Sequence, residues 1–237
     1  SEQERVNGTP TFNHGLMVFL PQKPNGRSEE YGDYYAPGDT RPLSVVGTGN
    51  RLIANAIRIA TEPIWDEWVS SIQRGLLPHQ SLLANVGDVD TIMAEQALKR
   101  QESAAVFFDF KAAFPSPAHD YLHSTLDAFQ VPLWFRNSIR ALYDGNICSI
   151  IAGGERPEGV VMKSVIRQVC PLSPLLFAII VDPLLRRIQK TLPEALIRAY
   201  ADDIAVVDPQ LEEAMPPLTE LFGHFDLISG LALNLPK

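Results

Sequence analysis

The sequence predicts an α+β fold in which helices are segregated from antiparallel strands. Three observations carry this reading. Apolar, β-branched runs occur singly or as hairpin pairs, helical segments fall between them in blocks, and clusters of Pro, Gly and Asp punctuate the joins. A doubly wound parallel sheet would need regular strand–helix alternation, which is not seen, and no linker-like stretch divides the 237 residues cleanly.

The elements follow in order. The run LMVFLP at 16–21 reads as a strand. The next stretch, QKPNGRSEEYGDYYAPGDTRPLSVV, carries Pro-Asn-Gly, Gly-Asp and Pro-Gly-Asp turn signals and ends in a second strand at about 42–46, a hairpin with a long decorated tip. Residues 50–74 show helical spacing through Leu52, Ile53, Ala56, Ile57 and Ile59, broken at Pro63 and resumed at Ile64, Trp65 and Trp68. A turn at GLLPHQS precedes a helix over 88–102, capped near Asp88 or Asp90. SAAVFFDF at 103–110 reads as a buried strand, followed by helices at about 117–129 and 132–144 parted at Val131-Pro132. ICSIIAGG and GVVMKSV alternate like hairpin strands around a Gly-Gly-Glu-Arg-Pro turn. The strongly apolar 173–192 is a helix with Ser173 as N-cap and Pro174 near its first position. A strand–turn–strand at 196–207 and a helix at about 210–229 close the order.

Composition narrows the function classes. A 46% hydrophobic content supports a real core, and a net charge of −8 argues against an extended basic face while leaving room for a local basic groove. Cys148 and Cys170 lack metal-type spacing and read as reduced thiols. The polar start SEQERVNGTP has no signal-peptide core, and no apolar run reaches the ~20 residues that span a bilayer. The expectation is an intracellular protein of nucleus or cytoplasm with no membrane partner.

The chemistry sits in carboxylates. IRAYADDIAVV at 197–207 places Asp202 and Asp203 side by side within an apolar run. Burying unpaired charge is costly, so the pair is expected on a turn that reaches solvent. Alone, such a string is explained by an ordinary acidic turn. In AVFFDFKAAFPS, Asp109 ends another buried strand, with Lys111 and Phe114 after it. If the two strands are neighbours, Asp109 and Asp202 converge at one end of the sheet. Three clustered carboxylates call for a cation, and hard divalent ions such as Mg²⁺ take oxygen ligands of this kind. Two such ions can stabilise the attacking and leaving oxygens of phosphoryl transfer. The alternative is Asp109 as a cap on the following segment. In IRQVCPLSPLLF, a helix start explains Ser173 and Pro174 but not the preceding Arg167-Gln168 pair.

Together, FFDFKAAFPS, RQVCPLSPLLF and YADD resemble, in this order, motifs A, B and C of reverse transcriptases, and most of all those of non-LTR (LINE-type) retrotransposons and their group II intron relatives. DTRPLSVVGTGNR and RGLLPHQSLLANVGDVD look like the fingers segments, and SGLALNLPK looks like motif D, so the likeness runs from about residue 16 onward. It implies a right-hand polymerase: a fingers-like region over 1–102, a palm-like region over 103–237 with fingers recurring within about 115–165, and no thumb. The implied function is RNA-directed DNA polymerisation from dNTPs onto a primer 3′-OH, with RNA template, DNA primer and two Mg²⁺ (or Mn²⁺) ions.

By motif position, Asp109 and Asp202 would bind the ions with the Phe110 carbonyl as a further ligand, and Asp203 would sit beside the primer terminus. Phe114 falls where these enzymes place a steric gate against a ribose 2′-OH, and Gln168 would hold the incoming nucleotide and template base. Arg41 and Arg51 would grip the triphosphate as fork-shaped donors. Lys23 and Lys237 are further candidates, the latter at the motif D lysine as a general acid for pyrophosphate. Three positions depart from the pattern: Val169 stands where Gly usually follows the motif B Gln, His79-Gln80 where Gly-Arg is common, and Gly49 where an acidic residue is common. A β-branched residue at 169 is expected to intrude on the nucleotide or forbid the backbone geometry a glycine allows. Two other readings stay open: a catalytically degenerate retroelement remnant or nucleic-acid-binding module of the same fold, and an RNA-templated RNA polymerase, against which Phe114 argues. The residues do not indicate an oligomeric state.

Overall fold

A computed structural model describes residues 12–75, 77–99, 103–150 and 159–234. Two sheets organise the chain. In the first, β1 (His14–Pro21) pairs antiparallel with β4 (Thr40–Val46), from Gly15↔Val46 to Pro21↔Thr40. Between them β2 (Gly26–Ser28) and β3 (Gly32–Tyr34) form a two-stranded ribbon, the decorated tip that the turn signals predict.

Helix α1 (Thr48–Thr61) follows, then a short 3-10 turn at Glu62–Ile64 containing Pro63, then α2 (Trp65–Trp68). Proline thus ends the first helix, as its missing N–H requires. Helix α3 (Leu82–Leu98) starts earlier than the expected 88. Its cap is Ser81, whose hydroxyl accepts the Leu83 N–H at 3.2 Å, and not Asp88 or Asp90. Asp88 instead pairs with Arg198 at 2.6 Å and Arg74 at 2.9 Å, ion pairs that hold its carboxyl below the usual range.

The second sheet opens with β5 (Ala104–Phe108), followed by α4 (His119–Ala128) and α5 (Leu133–Tyr143). Next, β6 (Ile147–Ile150) and β7 (Val160–Val161) complete the first sheet, in the order β4-β1-β6-β7. Their mutual pairing is antiparallel, as expected of the hairpin, but β6 joins β1 in parallel. The Gly-Gly-Glu-Arg-Pro turn between them lies outside the described residues.

Helix α6 (Ser173–Thr191) is the spine of the core, and its Leu175, Leu176, Ile179, Val181, Leu185 and Ile188 have no exposed surface. Strands β8 (Leu196–Tyr200) and β9 (Asp203–Asp208) form the second hairpin, and β9 lies between β8 and β5. Helix α7 (Leu211–Ser229) ends at Gly230, whose φ of 79° supplies the left-handed cap. The inner face of this sheet packs on α6 and α7, with the Phe108 ring 4.5 Å from that of Phe222. Each aromatic or branched side chain so buried contributes roughly 1.5–3 kcal/mol, which holds the sheet rigid behind the carboxylates at its end. Among the described residues no helix is long and apolar enough to cross a membrane.

Candidate active site

Strand pairing brings the first two carboxylates together. β5 and β9 run antiparallel with Phe108 opposite Ile204, so Asp109, just past β5, and Asp202, just before β9, lie at one end of the sheet. Both line a cavity of about 660 Å³ shared with Arg41, Phe110, Phe114 and Gln168. The sharp turn that presents Asp202 depends on Ala201, which adopts the left-handed φ of 55°.

Asp203 belongs to β9 and lines a different cavity, the apolar groove between α3 and the sheet. The three carboxylates therefore do not form one tight cluster, and among the described residues no group of three His, Cys, Asp or Glu side chains has the geometry to hold a metal. They still feel one another. Burial first, then the charge of Asp109, pushes the Asp202 carboxyl up, with Arg41 opposing the rise. Burial, then Asp202 and Asp109, pushes Asp203 up. This end of the sheet carries more negative charge than the protein neutralises.

The hard-oxygen set facing the cavity suits a divalent cation. Asp109 is fixed by Asn234, whose side-chain amide donates to Asp109 Oδ2 at 2.9 Å and whose backbone N–H donates to the Asp109 carbonyl at 2.8 Å. The other bond of this small bridge runs from Lys111 N–H to the Ala232 carbonyl at 2.9 Å, so neither bond engages the Phe110 carbonyl. That oxygen and the Asp109 and Asp202 carboxylates fit a metal's donor preference, and the raised Asp202 supplies the unbalanced charge a cation would neutralise.

Phe114 and Gln168 are positioned by packing and backbone bonds. The Phe114 ring stacks on Phe177 of α6 at 4.8 Å, which fixes its direction. Gln168 ends a segment laced to the stretch after β5: Ile166 N–H donates to the Phe114 carbonyl at 2.8 Å, Val165 N–H to Pro117 at 3.0 Å, and His119 N–H to Lys163 at 3.0 Å. Val165 is held at φ 99° within it, with its carbonyl 3.0 Å from His119 Nε2. Behind Gln168, Arg167 is fully buried and donates to Asn50 Oδ1 at 3.0 Å and to the Leu142 carbonyl at 2.6 Å, with the Tyr143 ring 4.8 Å from its guanidinium carbon. Arg41 on β4 reaches the cavity, and with the Gln22 amide turned oxygen-inward that oxygen accepts from Arg41 Nη2 and Nε at 3.2 Å.

The remaining expected residues fall elsewhere. Arg51 is exposed in the first turn of α1, and Lys23 is exposed just past β1; neither lines the cavity. Lys237 lies outside the described residues. Val169 does not line the cavity, and the left-handed backbone positions among the described non-glycine residues are His79, Ala112, Gln130, Val165 and Ala201. The β-branched residue there therefore sits in an ordinary backbone conformation, outside the lining of the cavity. Sequence reading passed over Asn234, although it lies inside the SGLALNLPK string, and Gln22, for which no sequence signal exists.

The reverse transcriptase (RNA-dependent DNA polymerase) family pattern matches residues 22–237. Among curated proteins, the retrovirus-related Pol polyprotein from type-2 retrotransposable element R2DM of Drosophila melanogaster is 30% identical over 214 residues, covering 85% of this chain. An uncharacterized 149 kDa protein of transposon TX1 from Xenopus laevis is 24% identical over 205 residues, covering 83% of this chain. The chain spans only 19% and 15% of the lengths of these relatives. Among solved structures, telomerase from Candida tropicalis in complex with a TWJ fragment of telomeric RNA aligns with a TM-score of 0.63 at 11% identity, over 97% of this chain and 41% of that one. Apo telomerase of the same organism, truncated from its C-terminal domain, aligns at 0.61 and 10% identity over 98% of this chain and 52% of that one. At such identities these structures establish a shared fold and nothing finer.

Proposed function

Because this chain belongs to the reverse transcriptase (RNA-dependent DNA polymerase) family, with retrotransposon Pol polyproteins among its relatives, we propose that it is the fingers-and-palm part of an RNA-directed DNA polymerase that joins dNTPs to a primer 3′-OH on an RNA template. The observation that carries the proposal is the convergence of Asp109, Asp202, Phe114, Gln168 and Arg41 on one cavity.

In this reading Asp109, Asp202 and the Phe110 carbonyl hold the divalent ions, Mg²⁺ or Mn²⁺. Once bound, the ions supply Lewis-acid stabilisation to the attacking and leaving oxygens of phosphoryl transfer. The protein's own groups orient the reactants. Arg41, with its guanidinium fork oriented by Gln22, meets the triphosphate. The Phe114 ring, braced by Phe177, occupies the space a ribose 2′-OH would need. Gln168 faces the nucleotide and template base, and Asp203 stands beside the primer end. Arg51 and Lys23 serve as further phosphate contacts from the hairpin side, and Lys237 would protonate departing pyrophosphate.

A second reading, a non-catalytic nucleic-acid-binding module of the same fold, rests on the absence, among the described residues, of any group of three carboxylate, His or Cys side chains placed to hold a metal. Primer extension separates the two. The chain is assayed on an RNA template with dNTPs and Mg²⁺ or Mn²⁺, beside Val169→Gly and with Asp202→Asn as the blank. Extension that disappears in Asp202→Asn supports the polymerase. Template–primer binding without extension, in both the parent and Val169→Gly, overturns it in favour of the module.

A further inference from the structure

The turn that carries Asp202 has an unusual keeper. Ala201 sits at φ 55°, a left-handed conformation that is strained for any residue bearing a Cβ and persists only where its surroundings impose it. The polar partner in those surroundings is the side chain of one residue far away in sequence. Gln73 is 1% exposed, and its amide engages both backbone groups of Ala201: Oε1 accepts the Ala201 N–H at 2.9 Å and Nε2 donates to the Ala201 carbonyl at 3.0 Å. The same Oε1 accepts the Gly75 N–H at 2.8 Å, which locks the amide's orientation.

Around this side chain the backbone is also paired. Ala199 N–H donates to the Ile72 carbonyl and Arg74 N–H to the Ala199 carbonyl, both at 2.9 Å, so residues 72–74 run as a short parallel companion to β8. Asn85 of α3 adds a bond to the Ala199 carbonyl at 3.0 Å. Gly75 lies so close to the turn that a Cβ on it would fall 1.8 Å from the Ala201 nitrogen, which only glycine avoids.

We propose that Gln73 is a positioning residue for the catalytic turn: its amide holds Ala201 in the left-handed conformation and thereby sets where the Asp202 carboxylate points. The inference rests on the proposed role of Asp202 as a metal ligand. It is a supporting contact one residue removed from the ligand, of the kind whose loss weakens metal affinity without touching the metal.

Three variants of the whole chain test this: Gln73→Ala, Ala201→Gly, and the two combined. Amide hydrogen exchange reads the clasp directly, and Mn²⁺ titration followed by electron paramagnetic resonance reads its consequence. In the parent, the Ala201 amide should be as protected as the amides of β9. Gln73→Ala should speed its exchange by about tenfold or more and weaken Mn²⁺ binding by roughly tenfold. Ala201→Gly, which removes the strain the clasp opposes, should restore part of the Mn²⁺ affinity in the double variant while leaving the melting temperature low. An Ala201 amide that exchanges freely in the parent overturns the clasp even if Gln73→Ala fails to fold. A double variant no better at binding Mn²⁺ than Gln73→Ala reduces Gln73 to a merely structural residue and overturns the positioning role. If the parent binds no more Mn²⁺ than Asp202→Asn does, the metal reading fails instead, and with it the positioning role, while the exchange data still report the clasp itself.

Discussion

As the proposed metal ligand, Asp202 would carry opposite demands on stability and on function. Its carboxyl is pushed up by burial and by Asp109, so the folded chain holds that proton more tightly than the unfolded chain. Stability is then full below the ordinary carboxylate value and is lost as pH rises through the raised one. At neutral pH the ionised group therefore destabilises the protein when no cation is bound. Asp202→Asn should accordingly raise Tm at pH 7, by no more than about 4 °C, which is the shift that ~1 kcal/mol gives in a chain of this size. The gap between variant and parent should narrow toward pH 4, and thermal melts at the two pH values without divalent ions check this. An Asn variant that melts below the parent at pH 7 would mean the carboxylate is better satisfied than its surroundings imply. The same residues show what a sequence can reveal. That Asp109, Phe114, Gln168 and Asp202 share one cavity was legible because each sits in a string that resembles a reverse transcriptase motif. Gln73 was not, because its whole role is to bond a backbone 128 positions away, and a glutamine beside arginine reads as surface.

At the scale of elements, apolar runs marked helices and strands more reliably than they marked buried faces: Leu52, Ile53 and Ile59, whose spacing predicts α1, are exposed, and β5, expected to be a buried strand, exposes Phe107. Helix α3 begins with Leu82 and Leu83, both exposed, so its first turn shows no amphipathic stripe, and Asp88 looked like a cap when it is really the partner of two arginines. The parallel joining of β6 to β1 was equally invisible, since a strand's period reveals its faces but not its neighbour. What welds these elements together is Arg167, a buried cation for which the described residues supply two neutral oxygens and a ring, without a carboxylate. Its fork reaches Asn50 on α1 and Leu142 on α5 at once, and burial holds its pKa down. Lysine keeps the charge but cannot span both acceptors. Arg167→Lys should therefore cost about 1–3 kcal/mol, seen as a lower urea midpoint at an unchanged m-value. An unchanged midpoint would show that the helices α1 and α5 are held by their apolar contacts alone.

For the molecule as a whole, charge decides how the proposed nucleic-acid partner would be met. A net charge of −8 gives no general attraction to a polyanion, so binding must come from a few cations set against a repulsive background. Arg41 and Lys111 line the cavity, and Lys23 and Arg51 are exposed on the segments that flank β1 and β4. With about two to four phosphates neutralised, the affinity for an RNA–DNA hybrid should fall with a log–log salt slope of roughly −2 to −4, against the −10 or so of a strongly basic binder. Fluorescence anisotropy across about 50–200 mM salt measures it. Arg41→Gln should flatten the slope by about one, because it removes one phosphate contact. A slope steeper than about −6 would require a basic face that these four cations do not form. On the proposed polymerase reading the small slope has a consequence for mechanism: with little held by phosphate contacts, the template–primer would be placed by the shape of the cavity, with Gln168 on the base side and Phe114 on the sugar side. On that reading the Phe114–Phe177 stack and the buried Arg167 behind Gln168 would keep those groups rigid.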